Sequence, residues 1–164
     1  LQGNVFAAAS HIGVVDVMNG INRIRLKTEQ DYYNSGVMLM DLEAARVLVQ
    51  PEAIFQYVRD HENELLLPDQ DVFNSLYGAQ TLQIDDALWN YDARYYSGYL
   101  LRSSGAYHMD WVMQHTAILH FCGKRKPWKR SYATRFAPLY KHYRQLAARS
   151  GASFVSLSAP PSHG

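Results

Sequence analysis

The chain has 164 residues, 48% hydrophobic and 13% aromatic, which is enough apolar material to close one core. A net charge of +1 gives no overall electrostatic reason to expect a nucleic-acid partner, although 124–135 is locally basic. The single cysteine, Cys122, excludes an internal disulfide framework and a cysteine-built zinc cluster, and it fits a reducing, cytoplasmic setting.

In chain order, Val5-Phe6-Ala7-Ala8-Ala9 predicts a short buried strand. Residues 13–34 show Gly20, asparagines and no clear period, which predicts a long loop with no more than one helical turn. Gly36-Val37-Met38-Leu39-Met40 has the composition of a strand buried on both faces. Asp41 is placed to N-cap a helix over 42–46, and Pro51 suits the first turn of the next, 52–62, with Ile54, Phe55 and Val58 on one face. Pro68 then stops the chain, and Asp69 caps a third helix in which Val72, Phe73 and Leu76 face inward and Gly78 closes the end. Thr81-Leu82-Gln83-Ile84 alternates like a strand. Residues 85–99 read as a surface loop whose Trp89, Tyr91, Tyr95, Tyr96 and Tyr99 supply contact area or roof the core. A strand over 117–121 delivers His120 to its end. The last helix, 135–149, groups Phe136, Leu139, Tyr140, Tyr143 and Leu146 near one face, with Lys141, Arg144, Gln145 and Arg149 largely elsewhere. Residues 151–164, rich in Ser and Pro, read as a disordered tail. Strands alternating with helices predict an α/β fold over 1–150, with a mixed, mostly parallel sheet flanked by helices. No apolar run approaches the ~20 residues that span a bilayer, and Leu1-Gln2-Gly3-Asn4 does not read as a secretion signal.

Three polar clusters stand at strand ends or helix starts: Asn34-Ser35-Gly36, Asp69-Gln70-Asp71, and His120 with Gly123 and Lys126. Each has a plain reading and a chemical one. The first is a turn before a strand, or one wall of a ligand crevice of the kind that forms at strand ends of open α/β sheets. In the second, Asp69 and Asp71 cap and compensate a helix dipole, whereas the amide of Gln70 also suits sugar hydroxyls or a departing phosphate oxygen. In the third, His120 is a hydrogen-bonded core residue or a ligand for a divalent cation. Gly123 lets the backbone approach an anion, and Lys126 either belongs to a solvated basic loop or neutralises a phosphate.

The ordered set Tyr33-Asn34-Ser35-Gly36-Val37-Met38-Leu39-Met40-Asp41-Leu42, Leu67-Pro68-Asp69-Gln70-Asp71-Val72-Phe73-Asn74, Leu88-Trp89-Asn90 and His120-Phe121-Cys122-Gly123-Lys124-Arg125-Lys126-Pro127-Trp128 resembles glycosyltransferase family 8. These are retaining enzymes of GT-A fold that include bacterial lipopolysaccharide galactosyl- and glucosyltransferases. The resemblance covers about residues 4–143 and implies transfer of a hexose from a UDP-sugar to a glycan or lipid-linked acceptor. It implies Asn34, Ser35, Gly36, Asp69 and Gln70 at the donor sugar, with Gln70 and Asp69 as the catalytic candidates. It further implies Gly123 and Lys126 at the diphosphate, Cys122 on the acceptor side, and His120 as a ligand of Mn²⁺. Since an amide is a poor nucleophile beside a carboxylate, front-side attack with leaving-group assistance is favoured over double displacement.

One departure stands out. The family carries, upstream of the motif matching Asn34, a nucleotide-binding half with an Asp-x-Asp that completes the metal site, and nothing before Asn34 matches it: 11–17 holds only Asp16, and Asp85-Asp86 lies downstream. The expectation is therefore a C-terminal part of the catalytic domain, weakly active or inactive alone, since a hard cation needs oxygen ligands beyond His120. Two other readings are open. One is a non-catalytic sugar- or partner-binding module on the same scaffold. The other is a peripheral membrane contact, at the inner face of the membrane, through the basic last helix and its aromatics.

Overall fold

The computed structural model describes residues 1–11 and 17–150; the tail expected over 151–164 lies outside them. The elements in chain order are β1 (Phe6–Ser10), α1 (Val17–Leu26), β2 (Tyr33–Met40), α2 (Leu42–Leu48), α3 (Pro51–Asp60), α4 (Pro68–Tyr77), a 3₁₀ turn (Gly78–Gln80), β3 (Thr81–Ile84), α5 (Asp86–Trp89), β4 (Tyr91–Asp92), α6 (Tyr96–Arg102), α7 (Met109–His115), β5 (Leu119–His120) and α8 (Ala137–Arg149). The chain divides into two compact units at Cys122/Gly123.

In the first unit, β1 runs between β2 and β3, antiparallel to the former and parallel to the latter, and β4 pairs with β5 in parallel. The sheet is thus mixed and helix-flanked, as expected. The alanines of β1 are almost completely buried, and their small side chains let α4 approach the sheet. Phe6 meets Phe73 edge to face at 5.4 Å, and Tyr33 and Tyr77 complete the cluster, with Met38, Leu48, Ile54 and Leu76 packed around it. Asp41 caps α2 as predicted, accepting from Glu43 N and Ala44 N at 3.1 Å each.

Several expectations need correction. Residues 17–26, expected as loop, form a three-turn helix. Its Val17, Met18, Ile21 and Ile24 face solvent, and polar anchors hold it instead: Asn19 bonds Asp31 and the Tyr32 amide, and Arg25 grips Asp71. An element fixed by polar anchors leaves no apolar period to read. Strand β2 is not buried on both faces: it lies at the edge of the three-stranded sheet, and Leu39 and Met40 are exposed. Phe55, grouped on one face with Ile54 and Val58, is exposed while those two are half-buried. Residues 85–99 are not a surface loop: they form α5, β4 and the start of α6, with Tyr91 and Tyr99 buried and stacked at 4.0 Å, while Trp89 and Tyr95 are exposed.

The second unit holds α8, entered through Pro138 in its first turn. Trp128 lies 6.5 Å from the Tyr140 ring, and Lys126 Nζ is 5.7 Å from the Trp128 ring. Phe136 is buried, but Tyr143 and Leu146 are exposed, so the apolar face predicted for α8 is covered only at its start.

Candidate active site

Three segments converge in the first unit. The start of β2 brings Asn34, Ser35 and Gly36; the first turn of α4 brings Asp69 and Gln70; and the β4–β5 pair, in register Asp92 to His120, sets Asn90 beside His120. Asn74 joins the first two. Almost fully buried, it accepts from Tyr33 N at 2.7 Å and donates to Tyr33 O and Gln70 O at 2.8 Å each, so the head of β2 and the start of α4 are one rigid piece.

The start of α4 differs from prediction. Pro68 opens the helix, the preceding Leu67 gives no side-chain cap, and the capping role falls to Asp71, not Asp69. Fully buried Asp71 accepts from Leu66 N at 2.7 Å and Leu67 N at 3.1 Å, takes both Arg25 guanidinium arms, and accepts from the Tyr32 hydroxyl. Burial alone would raise this carboxyl, but the bonds from Arg25, Tyr32 and the two amides outweigh it and hold the group below the ordinary carboxylate value. Asp69 is thereby left exposed, accepting from Ser35 Oγ at 3.2 Å.

A continuous hydrogen-bonded chain runs on from Asp69. Gln70 Oε1 accepts from Ser35 N at 3.3 Å and Asn34 Nδ2 at 3.1 Å. Asn34 Oδ1 accepts from Gly36 N and from Asn90 Nδ2, both at 3.1 Å. Asn90 Oδ1 in turn faces His120 Nδ1 at 2.8 Å. The amide orientations follow from the backbone donors. Ser35 N and Gly36 N can only donate, which fixes the oxygens of Gln70 and Asn34; the Asn90 atom facing Asn34 Oδ1 is then its nitrogen, and the one facing His120 is its oxygen. As a neutral imidazole, His120 therefore carries its proton on Nδ1 and its lone pair on Nε2, one of the two orientations in which histidine binds a metal.

His11, which the sequence did not single out, lies on the same side. Its Nδ1 is 3.5 Å from the carboxylate of buried Asp86, and its Nε2 is buried with no hydrogen-bond partner among the described residues. Asp86 also takes Arg102 and Tyr99; burial pushes its carboxyl up, and the bonds from His11, Arg102 and Tyr99 hold it below the ordinary value. Ligand atoms of His11, His120 and buried Cys122 lie within 4.8 Å of one another, the one such group of three among the described residues. As a donor set for Mn²⁺ this fits poorly, because it holds two nitrogens and a sulfur and no oxygen.

Of the expected site residues, Asn34, Ser35, Gly36, Asp69, Gln70 and His120 are thus joined in one network, with Cys122 near His120. Gly123 and Lys126 begin the second unit; Gly123 is at φ +77°, a left-handed conformation that explains a glycine there. Asn90, Asn74 and His11 were not among the expected site residues. Asn90 and Asn74 stand inside quoted motifs, but His11 shows no local signal.

Comparison with known proteins bears on the family and the fold. The family model Glycosyl transferase family 8 matches residues 3–131. General stress protein A of Bacillus subtilis (strain 168) is 30% identical over 118 residues, 68% of this chain and 40% of that protein. The galactosyltransferase LgtC, solved in complex with donor and acceptor sugar analogs, superposes with a TM-score of 0.65 at 21% identity, over 98% of this chain and 54% of LgtC. The glycosyltransferase GlyE of Streptococcus pneumoniae TIGR4 superposes with a TM-score of 0.59 at 17% identity, over 95% and 38%. The chain therefore spans about half or less of the length of the relatives it matches, and its fold is that of part of LgtC. With the family model matched over most of its length, the chain belongs to glycosyltransferase family 8.

Proposed function

We propose that residues 1–150 are the C-terminal portion of a retaining glycosyltransferase domain that moves a hexose from a UDP-sugar to a glycan or lipid-linked acceptor. The observation that carries this reading is the unbroken hydrogen-bonded chain from Asp69 through Ser35, Gln70, Asn34 and Asn90 to His120. A core histidine in a folding role needs one partner; a five-step polar chain opening at exposed Asp69 is what orienting a polyhydroxylated ligand requires.

Within that reading, Asp69 and Asn34 bind hydroxyls of the donor sugar. Gln70 has both lone-pair directions of Oε1 occupied by Ser35 N and Asn34 Nδ2, so its oxygen is not available to attack an anomeric carbon. That favours front-side displacement, in which the incoming hydroxyl enters on the face the diphosphate leaves. Gly123 and Lys126 hold the diphosphate, the lysine as a point charge. A divalent cation, when bound, supplies further neutralisation of the departing diphosphate. A Mn²⁺ in that role would need oxygen ligands beyond the nitrogen and sulfur donors of His11, His120 and Cys122. No described helix is long and apolar enough to cross a membrane; the exposed Lys141, Tyr143, Arg144 and Leu146 of α8 support a peripheral contact with an anionic lipid surface.

The test is Lys126→Ala in the complete protein, assayed for release of UDP from UDP-hexoses and for UDP-sugar affinity. Both should fall at least tenfold, a loss of about 1.4 kcal/mol of binding. Turnover absent from the unsubstituted protein with every UDP-hexose, or a Lys126→Ala variant with unchanged affinity, overturns the reading.

A further inference from the structure

We infer that His11, His120 and Cys122 form a metal site of their own that selects Zn²⁺, or another borderline cation such as Co²⁺, over Mn²⁺. The group draws on three separate parts of the chain: His11 follows the end of β1, His120 ends β5, and Cys122 stands two residues on. Their ligand atoms nevertheless lie within 4.8 Å of one another. A tetrahedral zinc with bonds of about 2.1 Å to nitrogen and about 2.3 Å to sulfur places its ligand atoms roughly 3.5 Å apart. Closing the group onto an ion therefore takes inward movements on the order of 1 Å, which χ rotations of His11 and Cys122 supply while Asn90 holds the His120 ring.

The orientation of the two imidazoles is the second observation. His120 donates from Nδ1 to Asn90 Oδ1, and His11 turns Nδ1 toward the Asp86 carboxylate. Each ring thus has an oxygen behind one nitrogen, the arrangement that fixes the tautomer of a metal-bound histidine and raises its basicity. His11 Nε2 is buried without a hydrogen-bond partner among the described residues, which is unfavourable in a folded protein unless something at the site satisfies it. A cation at the focus of the three residues satisfies that atom.

Donor chemistry decides which cation. Two neutral imidazoles and a thiolate form a two-nitrogen, one-sulfur set of the kind seen in zinc sites with three protein ligands, where the fourth position is left to water or substrate. Manganese stands at the weak end of the divalent series and prefers oxygen. Binding displaces the Cys122 thiol proton to solvent and leaves both imidazoles neutral, so the ion and its three ligands carry a net charge of +1. The inference concerns ion selection by these side chains and does not depend on the UDP-hexose assignment, so the two can fail separately.

Cys122 is the only cysteine in the chain, which makes the test clean. The 164-residue chain, reduced and stripped of metal, is titrated with Co²⁺ and followed by absorption, and then with Zn²⁺ and Mn²⁺ in competition. The expected result is a near-ultraviolet thiolate-to-cobalt band with visible bands of a tetrahedral ion, bleached by stoichiometric Zn²⁺ and at least roughly 100-fold less sensitive to Mn²⁺. Cys122→Ser should abolish the near-ultraviolet band. His11→Asn should weaken Zn²⁺ at least tenfold while leaving far-ultraviolet circular dichroism unchanged; His11→Ala, similarly checked, guards against a substitution that simply unfolds the chain. Absence of the thiolate band, Mn²⁺ competing as well as Zn²⁺, or Zn²⁺ affinity indifferent to both His11 variants in folded protein overturns the inference.

Discussion

Replacing Gly36 by Ala probes how tightly the site is packed. Gly36 sits in β2 without a positive φ, so the backbone itself accepts an alanine. The obstacle is steric: a Cβ there would lie 3.2 Å from His120 Nε2, 3.0 Å from Asn34 Oδ1, and inside the contact radius of His120 Cε1. Ordinary contacts between carbon atoms are about 3.5–4.0 Å, so the imidazole must retreat by on the order of 1 Å. Its hydrogen bond to Asn90 at 2.8 Å resists that movement. Overpacking of this kind costs about 1–3 kcal/mol, and the entropy removed from the unfolded chain by Gly→Ala returns about 0.4–1 kcal/mol. The expected net is a loss of roughly 0.5–2 kcal/mol. Urea unfolding of the wild type, Gly36→Ala, His120→Ala and the double variant closes a cycle that isolates the collision. With the ring removed, the alanine should cost almost nothing beyond its contact with Asn34, giving a coupling of about 1 kcal/mol or more. An alanine equally costly in the presence and absence of the imidazole would refute the reasoning.

Two further outcomes follow from the same bonds. Asn90→Ala removes a fully buried bridge between His120 Nδ1 and Asn34 Oδ1, leaving the ring without its acceptor, and should cost about 2–4 kcal/mol. The nitrogen chemical shifts of His120 should then move from the Nδ1-protonated pattern toward the Nε2-protonated one; a shift pattern unchanged in folded variant would show that Asn90 does not set the tautomer. The pH dependence of stability should be governed on the acid side by Asp71, Asp86 and Asp92, each buried and each held below the ordinary carboxylate value. For Asp92, burial pushes upward and the Arg94 bonds prevail. A depressed carboxyl contributes its full stability above the unfolded value and loses it as pH falls through the folded value, because the unfolded chain then binds the proton first. Unfolding free energy should thus be insensitive to these groups above about pH 5 and fall below about pH 4, by up to about 1.4 kcal/mol per pH unit for each. A flat acid limb between pH 4 and 2 would contradict the depressed values.

The polar residues show why part of this structure was legible in the sequence and part was not. Apolar runs located β1, β3 and the core face of α4, since burial writes a period or a block into the chain. They failed for α1, whose anchors are Asn19 and Arg25, and for 85–99, where buried Asp86, Asn90 and Asp92 are each satisfied by partners distant in sequence or by a neighbouring arginine. A buried polar residue with a remote partner looks in the sequence like a solvated one. The site was legible for a related reason. Asn34 reads as a turn former, and its Oδ1 does accept the Gly36 amide two residues on; the same oxygen also accepts Asn90. At α4, capping and the proposed sugar contact are divided between neighbours, Asp71 holding the helix start and Asp69 left exposed beside Gln70. The structural and chemical readings of these clusters are therefore not rivals. The local bond fixes where the side chain stands, and only a side chain so fixed can present its remaining lone pair or proton to a partner across the fold. His11 marks the limit of that logic: the groups its Nδ1 faces, Asp86 and Tyr99, lie 75 and 88 residues away in the chain, so nothing in its sequence neighbourhood announced it.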